Sequence, residues 1–150
     1  MTDKKLKILI VDDNVQLRTL LRITFTRQTD YQLLETENGV EGLKLALDER
    51  PDVVITDVMM PGELNGLDLC RKIKTSEHKS CFVVLLSGKG QQSDIDSGMQ
   101  AGADVYRVKP FSPIELIDIV KEFQIKQLFF IRFMTPRDEK VFQYLCTVCF

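Results

Sequence analysis

DVVITDVMMPGELNGLDL, residues 52–69, passes from a run of apolar, largely β-branched residues to a carboxylate, a loop and the start of a helix. Val53 to Thr56 shows no alternation of polar and apolar positions, so it predicts a strand covered on both faces. Asp57 follows directly. The segment Pro61-Gly62-Glu63-Leu64-Asn65-Gly66 is rich in turn-formers, after which Leu69, Cys70 and Ile73 fall on one side of a helix. This is one βα unit.

The same unit recurs on either side. Strands are predicted at Lys7 to Val11, Tyr31 to Glu35, Val53 to Thr56, Phe82 to Leu86 and Val105 to Val108. The first, third and fourth are apolar almost throughout, which suits central strands, and the second and fifth are more mixed, which suits edges. Between them, Leu17, Leu20, Leu21 and Phe25 predict one helix face and Val40, Leu43, Ala46 and Leu47 another. A weaker helix is predicted from about Gln91 to Ala101, with Ile95 and Met99 beside glycines. The fifth opens at Ser112-Pro113-Ile114-Glu115, a capping box with proline at the first helical position, and continues with Leu116, Val120 and Phe123. Alternating strands and helices imply an α/β fold: a doubly wound, five-stranded parallel sheet with five flanking helices. It is expected to occupy residues 1–125, with residues 126–150 as a C-terminal extension.

Composition narrows the function. The 150 residues carry 20 basic and 22 acidic side chains, a formal charge of −2, so no global pull toward nucleic acid or anionic membrane is implied. The longest apolar stretches, Phe82 to Leu86 and Leu128 to Phe133, fall far short of the roughly 20 residues that span a bilayer. MTDKKLKILIV leads into two aspartates rather than a small-residue cleavage site, so export is not expected and a cytoplasmic location is the default. Cys70, Cys81, Cys146 and Cys149 read as small hydrophobes rather than a disulfide framework. Cys146 and Cys149 form one C-x-x-C pair, which with His78 far away lacks the ligands of a zinc site.

In an open parallel sheet, ligands bind at the carboxyl ends of the strands. Asp12 and Asp13 follow the first strand, Asp57 the third, Ser87 the fourth and Lys109 the fifth. Three carboxylates gathered without a counter-ion repel one another, so the cluster asks for a cation. Oxygen-only ligands favour magnesium or manganese over zinc. A hard divalent ion beside a lysine and a hydroxyl makes a phosphoryl-transfer site. Asp57 would attack. Asp13 and Asp57, with the Met59 main-chain carbonyl and with Asp12 through water, would hold the metal; Lys109 and Ser87 would take the remaining phosphoryl oxygens. Taken singly each residue has a bland reading: Asp12 and Asp13 could cap the first helix, Ser87 the fourth, and Lys109 could be solvated. Their shared sheet edge argues against coincidence.

KILIVDDN (7–14), ETENGVEGLKLA (35–46), DVVITDVMMPGELNGLDL, VVLLSGKG (83–90) and AGADVYRVKPF (101–111) resemble, in order and spacing, the receiver domain of two-component signalling. The resemblance covers about residues 5–124. It implies a flavodoxin-like strand order of 2-1-3-4-5, phosphorylation of Asp57 by a sensor histidine kinase or phosphotransfer protein, and a magnesium requirement. The domain would be no enzyme beyond catalysing its own phosphorylation and dephosphorylation. It also implies that Ser87 and Tyr106 form a switch, that Lys109-Pro110 is a cis peptide, and that the face of helix 4, strand 5 and helix 5 serves a downstream protein target or a homodimer. One departure is Gly66, five residues after Pro61, which implies a one-residue insertion in the loop after Asp57. Gly88 stands where alanine is commoner, and Met59 and Lys89 occupy positions that vary in the family.

Receivers that act as unphosphorylated interaction modules usually lack an acidic residue or the lysine, and this sequence has them all. A magnesium-dependent phosphatase would need further acid/base residues near Asp57, and Val58 and Met59 offer none. Met134 to Phe142 looks like the opening of a LuxR-type DNA-binding domain, with Thr135 as N-cap and Pro136 at the first helical position. No recognition helix follows, so DNA binding by this chain alone is not expected. The preferred reading of residues 126–150 is an extra helix that covers the signalling face or mediates self-association, against a truncated output domain.

Overall fold

The structure is a computed structural model and describes residues 4–133. Five strands, β1 (Lys7–Val11), β2 (Gln32–Thr36), β3 (Val53–Asp57), β4 (Phe82–Ser87) and β5 (Val105–Val108), pair in parallel in the order β2-β1-β3-β4-β5. The helices are α1 (Val15–Gln28), α2 (Gly39–Glu49), α3 (Gly66–Lys74), α4 (Gln92–Gln100) and α5 (Pro113–Phe133). Fold class and strand order are those expected. β3 is buried at every position and β4 at all but Phe82, whereas β2 and β5, the edges, are mostly half-buried or exposed.

The core forms because the central strands are apolar on both faces. Ile8, Leu9, Ile10, Val53, Val54, Ile55, Val83, Val84 and Leu85 are fully removed from water, as are Leu21 and Phe25 of α1 and Leu69 and Ile73 of α3. Each such burial is worth about 1.5–3 kcal/mol. All three helices that follow β1, β2 and β3 begin with an asparagine cap: Asn14, Asn38 and Asn65 accept from the main-chain N–H groups of Leu17, Glu41 and Asp68.

Several local expectations shift. β3 and β4 each run one residue further than predicted, so Asp57 and Ser87 are the last strand residues rather than the first loop residues. β2 begins at Gln32, one residue late. Leu20, Val40 and Leu47 are exposed, and the buried side of α2 is Gly39, Gly42 and Ala46 with Leu43 half-buried. Periodicity places apolar residues near the right face, but α2 approaches β1 and α3 over glycines, which carry no hydropathy signal. At the start of α5, Ser112 Oγ accepts from Ile114 N rather than from Glu115, whose N–H goes to the Ser112 carbonyl instead. The Lys109-Pro110 peptide is cis, as the resemblance implied.

Of the described residues, 4–117 belong to one compact unit. Position 125, the expected domain boundary, lies within α5, because Gln124 to Phe133 contains neither glycine nor proline to stop a helix. Among the described residues, no helix is long and apolar enough to cross a membrane. The Thr135-Pro136 cap and the Cys146/Cys149 pair lie outside the described residues.

Candidate functional site

β1 and β3 are neighbours, and their register, with Val11 opposite Thr56, brings the residues that follow Val11 and Thr56 together at one sheet edge. Asp12, Asp13 and Asp57 each offer a carboxylate oxygen, and these lie within 4.8 Å of one another. β4 and β5 complete the edge: Ser87 pairs with Val108, and the Lys109 N–H donates to the Ser87 carbonyl at 2.7 Å. The Lys109 side chain turns inward, with Nζ 3.2 Å from Asp57 Oδ1 and 3.7 Å from Asp12 Oδ2.

The bland readings fail on this geometry. Asn14, not an aspartate, caps α1, while Asp12 Oδ1 accepts from the Asn14 N–H at 2.8 Å. Gln91 stands at the cap of α4, and Ser87 Oγ accepts instead from the Lys89 N–H at 3.1 Å. Lys109 is paired, not merely solvated.

Asp12 and Asp57 are buried, and Asp13 is exposed. Burial raises the Asp57 pKa above its ordinary value; the Lys109 ammonium and the Met59 N–H oppose the rise, and Asp13 adds to it. The Asp12 carboxyl is likewise pushed up by burial, with Asp57 and Asp13 reinforcing the shift and the Asn14 N–H and Lys109 opposing it. Asp12 Oδ2 is buried without a hydrogen-bond partner. A buried oxygen without a hydrogen bond among three converging carboxylates, with no nitrogen or sulfur in the set, fits a hard divalent cation.

Three further residues support the strand ends. Arg18, the fourth residue of α1, donates to the Asp12 main-chain carbonyl and fixes the loop bearing both aspartates. Gly66 donates its N–H to the Val58 carbonyl at 2.9 Å, so close to the strand end that a Cβ there would collide with the Asp57 carbonyl oxygen. The sequence shows Gly66 as a turn residue, but not this close approach. Thr56 Oγ1 also donates to the Asp57 carbonyl, at 3.0 Å.

A doubly wound parallel sheet with an acidic cluster and an inward lysine at its carboxyl edge defines a flavodoxin-like α/β protein with a strand-end site. The chain belongs to the response regulator receiver domain family, whose pattern its residues 8–121 match; it is a regulatory domain of two-component signalling. It is 41% identical over 115 residues to the transcriptional regulatory protein ResD of Bacillus subtilis, covering 77% of this chain and 46% of that one. The chain thus spans about half the length of the curated relatives it matches. Among solved structures it resembles the chemotaxis protein CheY4 of Vibrio cholerae (28% identity, TM-score 0.72, covering 79% of this chain and 98% of that one). The BeF3-activated receiver domain of DrrB, a Thermotoga maritima response regulator, is similar as well (30% identity, TM-score 0.72, covering 81% and 98%).

Proposed function

We propose that this receiver is a phosphoacceptor switch in a histidine-to-aspartate phosphorelay, with Asp57 as the phosphorylated residue. The observation that carries the reading is the placement of Lys109 Nζ 3.2 Å from Asp57 Oδ1, beside a buried Asp12 oxygen that lacks a hydrogen-bond partner. An Asp57 oxygen attacks the phosphorus of a phosphohistidine on a sensor histidine kinase or phosphotransfer protein; the P–O bond forms as the P–N bond breaks, and the leaving imidazole takes up a proton. Lys109 keeps the nucleophile anionic beforehand and faces the phosphoryl oxygens afterwards. Ser87, at the adjoining strand end, offers its hydroxyl to another of those oxygens. Asp12, Asp13 and Asp57, with the Met59 main-chain carbonyl, would hold Mg2+ or Mn2+, which when bound supplies positive charge to the transferring group. Beyond its own phosphorylation and dephosphorylation the domain catalyses nothing.

The switch runs through Ser87 and Tyr106. Support comes from Lys89, whose N–H donates to Ser87 Oγ while its carbonyl accepts from the Tyr106 hydroxyl at 2.8 Å. One residue of the β4–α4 loop thus links both side chains, so a hydroxyl drawn toward a phosphoryl group disturbs the ring's anchor. The face of α4, β5 and α5 then meets a downstream protein or a second copy. Residues 1–125 act as the receiver and the remainder as an extension, in the cytoplasm.

Incubation with acetyl phosphate and Mg2+ tests the reading. Wild-type protein gains one phosphoryl group by intact-mass measurement and Asp57→Asn gains none; equal incorporation by both removes Asp57 as the acceptor.

A further inference from the structure

α4 has a single buried residue, and it is the one without a side chain: Gly98. Glycine is a poor choice inside a helix, second only to proline in the propensity it sacrifices, so its presence there asks for a compensating reason. A Cβ built on Gly98 would lie 2.5 Å from Tyr106 Cδ2 and 2.9 Å from Cε2, with Leu85 Cδ1 at 3.2 Å. The Tyr106 ring therefore rests directly on the backbone of α4. It packs against the core, and its hydroxyl reaches the Lys89 carbonyl. The ring is held at two points, its Cδ2–Cε2 side against Gly98 and its hydroxyl against Lys89.

We propose that Gly98 is the positioning residue for Tyr106: the missing side chain makes the seat in which the ring lies, and filling it detaches the ring from the β4–α4 loop. Its consequence for signalling rests on the switch reading above. An alanine at position 98 leaves Asp12, Asp13, Asp57, Ser87 and Lys109 untouched, yet takes from Tyr106 the place that ties it to Lys89. The phosphoryl site keeps its chemistry while the α4 and β5 face no longer follows it.

The experiment uses the full chain as wild type and Gly98→Ala, with aromatic and amide NMR before and after beryllofluoride and Mg2+. In the metal-free protein the Tyr106 ring resonances of Gly98→Ala are expected to move toward solvent-exposed values; unchanged ring resonances overturn the proposal. With beryllofluoride, the variant binds within about twofold of wild type while the response of its α4 amides falls to less than about a fifth; a full α4 response overturns the coupling claim. A wild type whose Tyr106 does not respond sinks the switch reading instead, and a displaced ring in the variant then still supports the seat. Should the collision destabilise Gly98→Ala, adding Tyr106→Ala empties the seat and restores the melting temperature to that of Tyr106→Ala alone. A double variant as unstable as the single one overturns the proposal.

Discussion

Asp12 and Asp57 share one ammonium group. Lys109 Nζ lies 3.7 Å from the first and 3.2 Å from the second, and both carboxylates are nearly out of solvent. One positive charge thus faces two buried negative ones, with Asp13 beside them. The imbalance makes the site receptive to further positive charge.

A pH dependence follows. Both carboxyls have folded-state pKa values raised above the ordinary value by burial, so the folded state holds their protons more tightly than the unfolded chain does. Their contribution to stability is complete below about pH 3.9, the unfolded value, and is lost as pH rises through the folded values. In chelator, Asp12→Asn therefore melts higher than wild type at pH 7.5, and the gap closes toward pH 4. Thermal melts across that range check it; a gap independent of pH refutes the origin in ionisation.

Divalent metal should reverse the same penalty. At neutral pH, Mg2+ at ten times its dissociation constant stabilises the folded protein by about 1.4 kcal/mol, or roughly 3–6 °C at this chain length. Calorimetry with and without EDTA reads this directly. Asp13→Ala, whose exposed side chain contributes little to packing, removes most of the metal response while leaving the metal-free melt near wild type.

Lys109→Ala leaves two buried carboxylates without their counter-ion. Phosphate uptake from acetyl phosphate should slow by about 100-fold, the scale on which a single electrostatic stabiliser acts, yet persist on long incubation. Because the main-chain bond from Lys109 N to Ser87 O survives the substitution, the strand ends stay aligned. NMR of α4 should nevertheless show little response to the phosphoryl group. A wild-type response would mean that the lysine serves uptake alone.

Gly66→Ala tests the packing under Asp57. The added methyl group meets the Asp57 carbonyl and the Val58 Cα, which belong to backbone and cannot rotate away. A loss of about 1–3 kcal/mol in denaturant unfolding is expected, with weaker Mg2+ binding because Asp57 is displaced. Wild-type stability would show that the loop relaxes freely.

The thiols give a negative control. Burial pushes Cys70 up to about 11 and Cys81 up to about 12, so at pH 8 only about one in a thousand and one in ten thousand molecules carry the respective thiolates. Peptide mapping after brief iodoacetamide treatment of native protein should find both unmodified, and denatured protein fully labelled.

Legibility in the sequence varied with the range of the interaction. The alternation of apolar strands and amphipathic segments fixed the α/β class, the five strands and the choice of edges, because a strand covered on both faces must be apolar throughout. Asp12, Asp13, Asp57, Ser87 and Lys109 could be assigned to one edge because parallel strands all end on the same side. Their separations could not: a lysine shared by Asp12 and Asp57, an Asp12 oxygen without a hydrogen bond and a helix cap supplied by Asn14 rather than by an aspartate depend on how segments distant in the chain meet. The exposure of Leu20, Val40 and Leu47 has a related cause, since periodicity reports which residues are apolar but not how closely a helix approaches its neighbours. Gly66 and Gly98 mark the limit most clearly. A glycine announces only that a side chain is missing; that Asp57 backbone fills one gap and the Tyr106 ring the other was decided when the chain folded, by contact between segments that local sequence does not connect.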